Sequence, residues 1–197
     1  EMCIRDSYDV DAPRNLNIRI ENFIDSLGIK CKSEGIPFFL ELRVFDNKIN
    51  RHHIVGTRCI DGKAHKVIAS MKEFSKPDYH IDVLIVDFPV DDNTLKSISQ
   101  QQVNRYIKEQ SRATNIPYLF RLGSIPQDQM IKGLEILKNG IVDFCGISTG
   151  CEILLEGLAV YITEGNRAAS HWCKTIGRRN LIELKSFIEK PHKFTEK

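Results

Sequence analysis

The sequence holds six cysteines but lacks any C-x-x-C pair. Cys3, Cys31, Cys59, Cys145, Cys151 and Cys173 are scattered, which fits reduced thiols in a cytosol better than a disulfide framework or a zinc site. Long apolar runs are missing too, the longest falling far short of the ~20 residues that span a bilayer. No membrane segment or membrane partner is expected, and the expected location is cytoplasmic. No charge of one sign dominates: 28 Lys and Arg stand against 26 Asp and Glu, a formal net charge of +2. Any nucleic-acid contact must therefore come from a local patch. No histidine has a Cys, His or acidic partner at metal-ligand spacing, so no metal is expected. His52-His53 reads as a solvated turn and His171-Trp172 as helix packing. The first residues lack pattern altogether. Glu1–Ser7 has no periodicity, no signal architecture and no initiating Met, and looks like translated adapter sequence. Residues 1–14 are set apart as a non-native or disordered N-terminus.

What is present is ordinary for a globular protein: 197 residues, 42% hydrophobic and 27% charged, enough for one domain or two small ones with a real core. The organising stretch runs from Arg58 to Phe88. Ile54–Ile60 is β-branched and apolar and reads as a strand, Asp61-Gly62 breaks it, and an amphipathic helix follows from Lys63 to Phe74. Ile81–Phe88 is a nearly continuous apolar run of the kind buried on both faces. An Asp-Gly turn feeding a helix offers free N–H groups and a dipole end to an anion such as phosphate.

Around this unit, Asn15–Leu27 reads as a short strand and a helical turn stopped by Gly28, and Phe38–Phe45 as a strand. Glu41 and Arg43 on that strand have the outline of a nuclease-like acid-x-base pair, against the plainer reading of a solvated strand face. Asp91–Thr94 supplies caps for a polar surface helix through about Gln110. Ile116–Leu122 is a strand or the start of a helical region. Ser124-Ile125-Pro126-Gln127 has capping-box form and starts a helix to Leu137. Ile141–Cys145, Cys151–Thr163, Arg167–Ile176 and Leu181–Ile188 read as further helices. The expected organisation is an α/β domain over 15–115 and a helical domain over 124–190.

Two segments of the second part have helix-turn-helix outlines: Val142 through Gly146-Ile147-Ser148, and Cys173 through Gly177 into Leu181. From Glu164 onward eight Lys or Arg face four Glu, so the basic excess is concentrated there. The alternative is ordinary helical hairpins with a solvated charged face. On the DNA reading, Ser148, Thr149, Lys174, Arg178 and Arg179 are the candidate DNA contacts.

Three segments resemble the ParB/sulfiredoxin-like superfamily: Ile60-Asp61-Gly62-Lys63-Ala64-His65-Lys66 with Ala69, Asp82–Val86, and Gln101-Gln102-Val103-Asn104-Arg105. The resemblance implies an α+β fold, a small mixed sheet with helices followed by an all-helical region. It implies a nucleotide pocket of CTP type with Mg, formed by Asp61, Gly62, Lys63, His65, Lys66, Gln101, Gln102 and Arg105. It further implies DNA as partner, a homodimer, and a partition setting in a phage or plasmid. Gln101 stands where the family's motif has glutamate, which removes the hard carboxylate that magnesium prefers. Whether the chain is an enzyme stays open, the alternatives being a phosphoryl-transfer or nuclease-type enzyme on that scaffold and a non-catalytic interaction domain.

Overall fold

In the computed structural model, the residues described are 1–44, 57–89, 98–121, 144–149 and 154–188, with the side chains of 57–61 and 187–188 outside that description. Helices and strands alternate along the first part: β1 (Met2–Ser7), α1 (Arg14–Glu34), β2 (Phe38–Arg43), α2 (Thr57–Phe74), β3 (Val83–Asp87), α3 (Gln100–Ser111) and β4 (Tyr118–Arg121). β5 (Gly146–Ser148) completes a five-stranded sheet in the order β1-β2-β3-β4-β5, with every neighbouring pair parallel. The C-terminal part is α4 (Leu155–Glu164), α5 (Asn166–Trp172), a π-type turn at Cys173–Gly177 and α6 (Arg178–Ile188).

Register assigns the two faces of the sheet. Leu40, Leu84 and Tyr118 share one level, and Leu42, Val86 and Phe120 share another two residues on. All six are buried in one core with Ile24 of α1, Val67, Met71 and Phe74 of α2, and Val103 and Ile107 of α3. Helices thus cover that face. The alternate residues, Glu41, Ile85 and Leu119 at one level and Asp87, Arg121 and Ser148 at the next, belong to the other face. A parallel sheet in consecutive order with its helices on one side is an arc of the (β/α) barrel type, whereas a doubly wound sheet reverses its strand order partway.

The expected α+β domain followed by a helical domain is therefore corrected: β4 and β5 lie in the same parallel sheet as β1–β3. Asn15–Leu27 is no strand but part of one helix, because the buried positions Asn17, Glu21, Ile24, Gly28 and Cys31 fall on a single helical face. The stop lies at Gly35, whose φ of 65° makes it a left-handed C-cap. Thr57–Ile60, expected as strand, is the first turn of α2. Ile54–Gly56, the caps at Asp91–Thr94 and the helix from Ser124 to Leu137 lie outside the described residues. α3 begins instead at Ser99, where Gln102 N–H donates to Ser99 Oγ at 3.3 Å and Ser99 N–H donates to Gln102 Oε1 at 3.1 Å, a reciprocal capping box.

Met2–Ser7 forms β1, which among the described residues pairs with Phe38–Arg43 alone, and lying beside β2 has no bearing on where that segment comes from. Behind it, Tyr8 Oη donates to Glu21 Oε1 at 2.8 Å and Arg14 reaches the same oxygen at 2.6 Å. Burial alone would raise the Glu21 carboxyl, but the Arg14 and Tyr8 hydrogen bonds outweigh it and hold it below the ordinary value. Burial and the facing carboxylate push the Tyr8 phenol up, so it stays a donor. A depressed folded value stabilises the protein above the unfolded carboxylate's pKa of about 4.3, and that stability is lost as pH falls through the folded value. Glu21→Gln should therefore flatten the acid limb of a plot of urea midpoint against pH. An unchanged acid limb in the variant would contradict this assignment.

At the C-terminal end, Trp172 is buried between two glycines: a Cβ on Gly157 would stand 2.5 Å from its ring and one on Gly177 2.9 Å. That close approach pins α4 to the chain leading into α6.

Candidate active site

In parallel α/β sheets the residues free to meet a ligand are those at the carboxyl ends of the strands. On the face away from the helices, those ends carry charge. Glu41 of β2 and Asp87 of β3 are 6% and 7% exposed, a degree of burial that carboxylates reach only when paired. Arg121 of β4 supplies the pairing: Nε and Nη2 each lie 2.8 Å from Asp87 Oδ1, and Nε lies 3.6 Å from Glu41 Oε1. Arg5 of β1 approaches the same Glu41 oxygen at 2.9 Å. Asp87 is fixed from two further directions, its Oδ2 accepting from Val44 N–H at 3.4 Å and its backbone oxygen from Gln110 Nε2 at 3.1 Å. Two carboxylates and two guanidinium groups from four adjacent strands thus meet at one end of the sheet.

Ser148 is the register partner of Arg121, and Thr149 follows it. The Thr149 hydroxyl is buried without a hydrogen-bond partner. An orphaned buried hydroxyl is costly to leave unsatisfied and is a natural contact for a bound group. Among the described residues no group of three or more His, Cys, Asp or Glu could hold a metal ion, and no helix is long and apolar enough to cross a membrane.

The residues singled out from the sequence are distributed otherwise. Asp61, Gly62, Lys63, His65 and Lys66 do not form a turn. α2 begins at Thr57 and runs through them, so their N–H groups point back to carbonyls of the preceding turn, not toward an anion. His65 is exposed, while Lys66 is buried and ion-paired with Asp9 at 2.8 Å and Asp11 at 3.6 Å, tying the segment after β1 to α2. Gln102 is occupied in the cap of α3, Gln101 is exposed on the first turn, and Arg105 pairs with Glu109 at 2.8 Å. Ser148 and Thr149 stand on and just after a strand, not in a helix-turn-helix. Lys174, Arg178 and Arg179 are exposed, and Trp172 and Arg178, which bracket the Cys173–Gly177 turn, both have right-handed helical angles. The chain there continues from α5 into α6 without the sharp turn that a recognition helix needs.

Glu41, expected on a solvated strand face, is instead buried and held by two arginines. Asp87 and Arg121 lie inside apolar runs and carry no motif of their own. The signal for Asp87 and Arg121 is in the sequence, since each is the one charge at the end of an otherwise apolar strand, whereas Glu41 lies inside β2 beside Arg43 and shows no such mark.

Fold and site together define an α/β chain with a charged cluster at consecutive parallel strand ends, an enzyme-like arrangement. No known family profile matches the chain. It is, however, similar to curated proteins named tagatose 1,6-diphosphate aldolase. It is 33% identical over 190 residues to that of Streptococcus agalactiae serotype V, covering 93% of this chain and 58% of the relative. To tagatose 1,6-diphosphate aldolase 1 of Enterococcus faecalis it is 32% identical over 187 residues, covering 92% and 57%. To the Staphylococcus epidermidis protein of the same name it is 29% identical over 189 residues, covering 92% and 58%. The chain spans a little under six tenths of the length of these relatives. These matches overturn the ParB/sulfiredoxin resemblance, and with it the expected DNA partner, the partition role, and the kinase and nuclease alternatives. The parallel sheet agrees with the correction, since a ParB-type domain would need a mixed sheet.

Proposed function

We propose that the chain recognises a sugar diphosphate of the kind its relatives are named for, at the strand-end cluster of Glu41, Asp87, Arg121, Ser148 and Thr149. The observation carrying this reading is that cluster, standing at consecutive parallel strand ends in a chain aligned over 93% of its length with such proteins. The reading suits a cytoplasmic protein and requires no nucleotide.

The chemistry follows from the donor set. An aldol cleavage needs a base to take the proton of the hydroxyl on one side of the breaking carbon–carbon bond, and an electron sink at the carbonyl on the other. Glu41, a carboxylate at the floor of the cluster, suits the base. Arg121 keeps N–H donors in a fixed fork that can bond a phosphate or a carbonyl oxygen, and Ser148 and Thr149 offer hydroxyls beside it. The sink has to come from a group other than the described strand residues of this face.

Isothermal titration with tagatose 1,6-diphosphate tests the reading. Saturable binding is expected with Kd in the range of about 1 μM to 1 mM, common for enzyme substrates, weakened by about tenfold or more in Thr149→Val. Release of three-carbon phosphates, followed by a coupled assay, measures cleavage separately. No heat of binding for the unmodified chain would end the proposal.

A further inference from the structure

Gln110 is a polar side chain in an apolar place. It shares the inward face of α3 with Val103 and Ile107 and is 0% exposed. One half of its amide is used: Nε2 donates to the backbone oxygen of Asp87 at 3.1 Å. The other half, Oε1, is buried with no hydrogen-bond partner. A buried acceptor without a donor lowers stability, and a leucine or methionine would fill similar space without that penalty. Packing therefore does not account for a glutamine at this position, whereas its bond to Asp87 does. We infer that Gln110 is a positioning residue: from the core side it fixes the end of β3, and through Asp87 it sets where Arg121 points in the strand-end cluster. The inference rests on the reading of that cluster as the ligand site.

The line of contacts is short. Asp87 closes both β3 and its ladder with β4, and strand ends open more readily than strand centres. Val44 N–H, another hold on Asp87, stands 3.4 Å from Oδ2, outside the usual ~2.7–3.2 Å for such bonds. The Gln110 bond lies within that range. The Arg121 guanidinium takes its aim from one atom, since Nε and Nη2 both meet Asp87 Oδ1 at 2.8 Å. A displaced Asp87 carries Arg121 with it, and a misplacement of about 1 Å can weaken a site that needs aligned groups by on the order of a hundredfold.

Gln110 itself is out of a ligand's reach. It is fully buried on the helix-covered face of the sheet, while the side chains of Glu41, Asp87 and Arg121 stand on the other. Any effect of Gln110 on binding must pass through the Asp87 backbone.

Gln110→Met in the full chain is the test, since it keeps the side chain's length and removes both amide groups. Two readouts are taken: water exchange of the Arg121 Nε–H in 1H–15N spectra, and affinity for tagatose 1,6-diphosphate. In Gln110→Met the Nε–H is expected to exchange about tenfold faster and the affinity to fall about tenfold. Ile107→Val, a packing change on the same face of α3, should lower the thermal midpoint and leave both readouts within about twofold. Gln110→Leu replaces the methionine variant if that one does not fold. Unaltered Arg121 exchange in the Gln110 variant overturns the proposal, as does an equal change in Ile107→Val. If the unmodified chain binds no diphosphate, the ligand reading falls and Arg121 exchange still decides whether Gln110 positions it. If both the unmodified chain and the Gln110 variant bind equally well, the positioning role falls and the ligand reading stands.

Discussion

Arg121→Met is expected to destabilise the chain by about 3–5 kcal/mol, because removing one partner of a buried ion pair leaves the other's charge uncompensated. The Arg121 side chain is 13% exposed, and those of Glu41 and Asp87 are 8% and 9%, so water cannot replace the lost guanidinium. Methionine keeps most of the side chain's length and apolar stem, which isolates the electrostatic part of the loss. The cost should shrink when the carboxylates are neutralised as well: in Glu41→Gln/Asp87→Asn/Arg121→Met the three changes should sum to less than their separate effects, as interacting sites do. Denaturant midpoints of the single and triple variants measure this. Additivity among the three substitutions would show that the carboxylates do not depend on Arg121.

Gly28→Ala should cost at least the upper end of the ~1–3 kcal/mol typical of overpacking. A Cβ there would stand 1.9 Å from the carbonyl oxygen of Tyr79 and 2.9 Å from its carbon. The obstacle is backbone, so no side-chain rotation relieves it; α1 must move away from the turn at Pro77–Tyr79. That turn leads directly into β3, so the shift would reach Asp87 at the far end of the strand. Gly35→Ala is the control: nothing lies within 4 Å of a Cβ there, and its only penalty is the φ of 65°. A thermal midpoint lower for Gly35→Ala than for Gly28→Ala would reverse the account of where α1 is closely packed.

Local patterns made part of this molecule readable. Phe38–Phe45 and Ile81–Phe88 contain β2 and β3, because a run of apolar residues with β-branched members is the plain mark of a buried strand. The helix ending at Phe74 and the helical character after Leu155 were also visible. Thr57–Ile60 falls in α2 and not in a strand because strand propensity is weak where tertiary packing decides, and a segment with two β-branched residues, Thr57 and Ile60, can open a helix. The strand order was hidden for a different reason. Parallel pairing joins residues tens of positions apart, and period-two alternation says which face a residue takes without saying which strand lies beside it. The site shared that fate: Glu41, Asp87 and Arg121 converge only once three strands stand in register. The same pattern that marks Ser124-x-x-Gln127 in the sequence also stands at Ser99-x-x-Gln102, and there it caps α3.

The chain contains a single tryptophan, and it is the residue wedged between Gly157 and Gly177. Its emission therefore reports on the C-terminal helices and is blind to the sheet, while far-ultraviolet dichroism sees both. Following the two signals through one denaturation would reveal, without any label, whether these helices melt together with the strands or let go first.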